Sequence, residues 1–245
     1  MTVAVIPFPG SNCEDDACDA LIELGIPVER MAWNTDASLD RFSGFILPGG
    51  FSYQDRVRAG VIAAKLPIIQ RLKDAAVAGT PILGICNGAQ ILVESGFFSD
   101  DGDLAHIIDM NYVDHQPIGF MCDWAYLQPF GSSNSVFLRE MAPTDVLPVQ
   151  VCHAEGRFLM QTMPLSGLTY CSMDGQCDAA FPVTPNGSTR GLAGITNAAG
   201  NVLAMMPHPE RSITPRRYPV SIRAVAERYG RRLIDFSRLF EAFRV

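Results

Sequence analysis

Three short apolar runs set the tightest limit on how this chain can fold: VAVIPF (3–8), SGFILPGG (43–50) and TPILGI (80–85). A strand with one wet face alternates apolar and polar residues, whereas a strand covered on both faces reads as an unbroken apolar run. Helical patterns lie between these runs. GSNCEDDACDALIELG (10–25) offers Ser11 and Glu14 as a capping box and Gly25 as a stop. PVERMAW (27–33) suits a further strand. Residues 57–78 have helical periodicity, with Pro67 as a break or kink, and a helix follows Cys86 and closes at Gly96. The alternation predicts an α/β fold with an open, mostly parallel central sheet flanked by helices.

The texture changes near Asp100. VLPVQVCH (146–153), LTYCSM (168–173), LAGITN (192–197) and NVLAMM (201–206) are short runs separated by Gly, Pro, Asn and Asp, which predicts added antiparallel strands in the second half. NAAGN (197–201) reads as the turn between two of them. An amphipathic helix is expected from about Ser221, with Ile222, Val225, Tyr229, Leu233, Phe236 and Phe240 near helical spacing and Gly230 as a weak point. No repeat or linker divides the chain, so a single domain over residues 1–245 is expected.

Composition narrows the function. The net charge of −7 argues against a general nucleic-acid binder, although nine arginines fall after residue 210. That basic tail is expected to be a solvated helix face, with a partner surface as the alternative. No apolar stretch approaches the ~18 residues of a membrane span, and MTVAVIPFPG lacks the basic start of a signal peptide, so a cytoplasmic protein is expected. Seven cysteines without a C-x-x-C and only four histidines argue against a disulfide framework or a metal site.

Three segments carry chemistry. Gly84-Ile85-Cys86-Asn87-Gly88 has the form of a nucleophile elbow, in which a sharp strand-to-helix turn needs glycines on both sides. A thiol there would sit at a helix N-terminus, whose dipole favours thiolate. Alone, the pentapeptide fits a small buried apolar cysteine equally well. MMPHPER (205–211) follows an apolar run and offers His208 as a base with Glu210 to orient it, because Pro209 keeps the segment extended and residues two apart face one side. A proline-rich surface loop is the alternative. In ILPGGFSYQD (46–55), paired glycines after a buried strand let backbone N–H groups turn inward, making Gly50 and Asn87 candidate oxyanion donors; an ordinary Pro-Gly turn would look the same. His106 and His115 have no comparable partners. All three segments fall at predicted strand C-termini, the edge where open α/β sheets bind ligands. The order Cys, then His-x-Glu, differs from that of α/β-hydrolases, whose acid precedes the histidine.

With these residues in view, the chain resembles the class I (triad-type) glutamine amidotransferases, which have a flavodoxin-like fold, and within them the glutaminase subunits of phosphoribosylformylglycinamidine synthase. The shared segments are PGSNCE (9–14), LPGGFSYQD (47–55), GICNGAQIL (84–92), HAEGRF (153–158), PNGS (185–188), LAGITN (192–197) and GNVLAMMPHPER (200–211), in the family's order. The resemblance implies that Cys86 attacks the side-chain amide of glutamine and that His208, oriented by Glu210, takes the thiol proton and passes it to departing ammonia. It implies a γ-glutamyl thioester that water opens to glutamate. Gln90, one turn after Cys86, and His153 and Glu155 would line the glutamine pocket; a helix-face amide and a polar loop pair are the alternatives. No cofactor or metal is expected on this chain. A large synthetase partner would hold ATP and Mg, and a small accessory subunit would help assemble the complex. Departures from the family pattern include Gln54, Ala59, Ala154 and Ala204, and chiefly residues 97–149, where Asp123 replaces an arginine. That segment leaves room for a paralogue feeding another synthetase. A non-catalytic binding subunit of the same fold is the third reading.

Overall fold

The computed structural model describes residues 2–98, 106–228 and 235–244. Strands β1 (Thr2–Val5), β2 (Val28–Arg30), β3 (Phe42–Leu47) and β4 (Ile82–Ile85) alternate with helices α1 (Glu14–Glu23) and α2 (Pro67–Val77), and α3 (Asn87–Glu94) follows β4. Then come β5 (His106–Asp109), β6 (Tyr112–Val113), β7 (Gln116–Pro117), β8 (Met121–Phe130), β9 (Leu147–His153), β10 (Arg157–Met160), β11 (Gly167–Cys171), β12 (Leu192–Thr196) and β13 (Val202–Met205). Helices α4 (Val220–Arg228) and α5 (Ser237–Phe240) end the described chain.

The main sheet has the order β2-β1-β3-β4-β13-β12-β11-β8-β9. It is parallel from β2 through β13 and antiparallel beyond, so a central parallel sheet is extended by antiparallel strands from the second half. β4 and β13 are buried throughout, as continuous apolar runs demand. Their register pairs Leu203 with Leu83, Ala204 with Gly84 and Met205 with Ile85. The far edge then returns: Gln150 of β9 forms an isolated antiparallel bridge with His208, whose N–H donates to the Gln150 carbonyl at 2.8 Å. The antiparallel half therefore curls over the C-terminal edge of the parallel half.

Three local expectations change. Ser11 does not cap α1: the helix starts after Cys13 without a side-chain cap, and Ser11 Oγ accepts from the Phe8 N–H at 3.0 Å. Ser11 is instead bridged to Gly50, which ties its loop to the paired-glycine turn. The acidic residues Glu14, Asp15 and Asp16 still suit the first turn of α1. Of the residues expected to be helical over 57–78, α2 begins at Pro67 and a 3-10 turn precedes it at Ala63–Lys65. Leu66, extended before the proline (ψ 148°), makes the break expected there, and Val57 (φ 73°) and Gly60 (φ 80°) are left-handed and stay outside both. The long closing helix is not continuous, since Asp235 and Phe236 are non-helical. Tyr229, Gly230 and Leu233 lie outside the described residues.

The tail is anchored to the body. Phe240 and Phe243 are buried, Phe243 stacks edge-on against Phe137 at 5.7 Å, and a Cβ on Gly44 would collide with the Phe243 ring. Two arginines ahead of α4 bind the body: Arg211 pairs with Asp16 at 2.9 Å and Arg217 with Glu23 at 2.6 Å, both acids of α1, while Arg216 and Arg223 are exposed.

Candidate active site

The register of β4 and β13 brings two chain reversals side by side. Cys86 leaves β4 with its N–H bonded to the Met205 carbonyl at 2.8 Å, and His208 leaves β13 three residues later. Cys86 adopts φ 51°, ψ −109°, a left-handed backbone that a side chain rarely tolerates, directly before α3. The flanking glycines make this turn possible. A Cβ on Gly88 would overlap the Leu47 carbonyl, and one on Gly84 would lie 2.6 Å from the Gly88 carbonyl oxygen. The elbow read from the sequence is thus a strained, tightly packed corner.

His208 Nδ1 lies 2.6 Å from Glu210 Oε1, with the two side chains 2% and 0% exposed. Burial alone would lower the pKa of His208; the Glu210 carboxylate and Cys86 outweigh it and hold the imidazole up at about 10. Its Nε2 has no hydrogen bond among the described residues, while Cys86 is one of the groups favouring its protonated form. Gly49 sets the closeness of the pair: a Cβ there would be 3.0 Å from His208 Cε1, 3.4 Å from Cys86 Cβ and 3.2 Å from Cys13 Sγ. Glycine at 49 keeps the space between base and thiol open.

A pocket of about 210 Å³ opens over these groups, and Gly50, Gln90, His153 and Glu155 line it, as expected from the sequence. Asn87 opens α3, where backbone N–H groups lack intrahelical acceptors. Its side chain is spent structurally, accepting the Ser52 N–H at 3.0 Å and donating to Gln90 Oε1 at 2.9 Å. Gln90 in turn donates to the Glu155 carbonyl at 2.6 Å, so it is held rather than loose on a helix face. His153 is buried and packed under Gly156; burial, then proximity to His208, lowers it to about 3, so its ring is neutral. His115, with left-handed backbone, is exposed away from this cluster.

Several residues in and behind the pocket have no role assigned from the sequence. Asn111 is fully buried: Nδ2 donates to the carbonyls of Gly119 (3.1 Å) and His153 (2.8 Å), and Oδ1 accepts the Gly156 N–H (3.0 Å). Because Asn111 Oδ1 is an acceptor, His153 Nδ1, 3.1 Å away, carries the proton. Asp55 borders the pocket, and burial followed by the Glu155 charge raises it to about 6. Cys13 and Arg211 meet at 3.4 Å on the opposite side; burial, then Glu210, pushes the Cys13 thiol up to about 12 against the pull of Arg211. Cys152 lines the wall, its carbonyl 3.7 Å from Cys86 Sγ. For Cys13 and Asp55 a signal existed, their places in the PGSNCE and LPGGFSYQD segments. For Asn111 and Cys152 there was none, because strand order alone brings them here.

A thiol on a strained strand-to-helix turn thus faces a buried His-Glu pair beneath a pocket, the arrangement that a nucleophile, its base and an orienting acid require. Residues 1–243 match the family of CobB/CobQ-like glutamine amidotransferase domains, and the chain belongs to that family. Among its relatives, phosphoribosylformylglycinamidine synthase subunit PurQ of Methanothrix thermoacetophila is 42% identical over 241 residues, spanning 89% of this chain and 91% of that protein. The PurQ subunit of Chlorobium luteolum is 37% identical across 98% of this chain and 97% of its own length. Among solved structures, PurLQS from Thermotoga maritima contains a chain 28% identical with a TM-score of 0.75, covering 99% of this chain and 97% of that one. A glutamine amidotransferase from the same organism, 18% identical with a TM-score of 0.51, shares the fold. Among the described residues, no helix is long and apolar enough to cross a membrane.

Proposed function

We propose that this chain is the glutaminase subunit of a phosphoribosylformylglycinamidine synthase, acting as a single amidotransferase domain in the cytoplasm. The observation that carries the chemistry is the buried His208–Glu210 pair, 2.6 Å apart, facing Cys86 across Gly49. Glutamine enters the pocket beside Gln90, His153 and Glu155. The thiol proton of Cys86 rests on His208, whose imidazolium Glu210 supports, and the sulfur attacks the side-chain amide carbon. The oxyanion that forms is met by the N–H groups of Gly50 and Asn87, where charge develops and stabilisation is most effective. His208 then protonates the leaving ammonia, and Glu210 supports the imidazolium between the two transfers. Water attacks the thioester, His208 again holding the proton, and glutamate leaves.

The pathway reading rests on the PurQ relatives, which match nearly the full length of the chain. The ammonia passes to a large synthetase subunit, which holds ATP and Mg, and a small accessory subunit completes the assembly. No cofactor is assigned to this chain. The test is Cys86→Ala in the reconstituted complex. Glutamine-dependent synthesis should fall by about 10³-fold or more, while synthesis from added ammonium salts persists. Full glutaminase activity in that variant would refute the reading.

A further inference from the structure

Two cysteines outside the triad stand opposite each other where β8 and β9 pair, one of them at the pocket wall. Cys122 on β8 and Cys152 on β9 are direct partners in the antiparallel register, and their sulfurs are 3.6 Å apart. Directly opposed residues in such a ladder have Cα atoms about 4.5–5.5 Å apart, which falls within the ~4.4–6.8 Å span that a disulfide bridges. Only side-chain rotation and a small strand adjustment separate the dithiol from a bond of about 2.05 Å. Cys122 is exposed, so an oxidant reaches it directly, and Cys152 stands behind it lining the pocket. The same strand touches both reacting groups: the Cys152 carbonyl lies 3.7 Å from Cys86 Sγ, and the Gln150 carbonyl accepts the His208 N–H. Burial and the neighbouring Cys122 hold the Cys152 thiol above its ordinary value, against the pull of Arg211, which borders the same pocket.

We propose that Cys122 and Cys152 form a reversible cross-strand disulfide under hydrogen peroxide, and that closing it slows turnover at Cys86. The exposed Cys122 sulfur attacks peroxide first: its electron pair forms an S–O bond, the O–O bond breaks, and one water leaves with Cys122 as sulfenic acid. The Cys152 sulfur then displaces that hydroxyl as a second water and the S–S bond forms. Two thiols are oxidised and one peroxide is reduced. Drawing the Cys152 sulfur toward β8 pulls it from Arg211 and shifts the strand that carries the acceptor of the Cys86 thiol. A small misplacement of this kind is costly, since a shift of ~1 Å in a catalytic group can lower turnover by up to about 100-fold.

The effect on turnover rests on the glutaminase reading; formation of the bond does not. The full chain in its synthetase complex is treated with limiting hydrogen peroxide, mapped by peptide mass spectrometry, and assayed before and after a dithiol reductant. A cross-linked Cys122–Cys152 peptide pair is expected, together with a loss of kcat/KM for glutamine of about fivefold or more that the reductant reverses. Cys122→Ser, with Cys122→Ala as a second variant, should keep the basal activity and lose the cross-link and the reductant-reversible loss, while any direct oxidation of Cys86 persists. Absence of the cross-link would overturn the proposal, as would a cross-link without change in kcat/KM or the same reversible loss in both Cys122 variants. A reduced wild-type complex without glutaminase activity would instead refute the functional reading.

Discussion

Replacing Glu210 by glutamine isolates what the buried carboxylate does. In the folded protein, His208 is held at about 10 rather than an ordinary 6.5, about 5 kcal/mol of net preference for imidazolium at ~1.4 kcal/mol per tenfold. Burial works against that preference, so the carboxylate at 2.6 Å and Cys86 together supply more than the net figure. In Glu210→Gln the opposing burial remains and the main support is gone, so His208 becomes a weak base. The amide can also donate to Nδ1 and hold the wrong tautomer. We expect kcat for glutamine hydrolysis to fall by about 10²–10⁴, with KM within a few-fold of wild type. Glutamate release by the complex, followed across pH, measures this directly.

Stability gives an independent reading of the same substitution. A raised folded-state pKa stabilises the protein fully below the unfolded value of about 6.5, and that stabilisation fades as pH rises through about 10. Urea denaturation should therefore show wild type losing stability between neutral pH and about 10, and the variant losing less. Retention of kcat within a few-fold, or identical alkaline losses in both proteins, would refute the argument.

Three further outcomes follow from the geometry. Gly88→Ala places a Cβ on the Leu47 carbonyl, so the variant should be destabilised by roughly 3 kcal/mol or more, seen as a lower denaturation midpoint. Asn111→Ala orphans the Gly156 N–H and two carbonyls, costing about 3–5 kcal/mol and loosening the His153–Glu155 wall; a raised KM for glutamine would report the loosening. His153 is depressed to about 3, so the stability it contributes is present above about 6.5 and lost as pH falls toward 3. His153→Gln should flatten the fall in stability over that acid range, and an unchanged profile would exclude burial of the neutral ring as its cause.

Much of the site was legible in the sequence because its parts are local. A glycine on each side of Cys86 states a sharp corner, and the apolar runs of β1, β3 and β4 state strands covered on both faces. These follow from sterics and periodicity over a few residues, and the family segments added their order. His208 and Glu210 do meet, but Pro209–Arg211 wind as a 3-10 turn instead of the extended segment expected, so the turn rather than two-residue alternation brings them together. Local patterns also misled: Ser11 and Glu14 look like a capping box, yet the bridge from Ser11 to Gly50 takes the serine out of the helix.

Read alone, the residues call for the class of sheet and put a cysteine, a histidine-glutamate pair and a paired-glycine turn at strand ends. Tertiary structure alone decided where β13 inserts, that β9 curls back so Gln150 holds His208, and that Asn111 orders the His153 loop. It also decided that Cys122 and Cys152 face each other. The reason is physical. Periodicity and turn chemistry are written within a few neighbouring residues, whereas strand order and closure arise from burying the whole core at once, and no short segment carries that information.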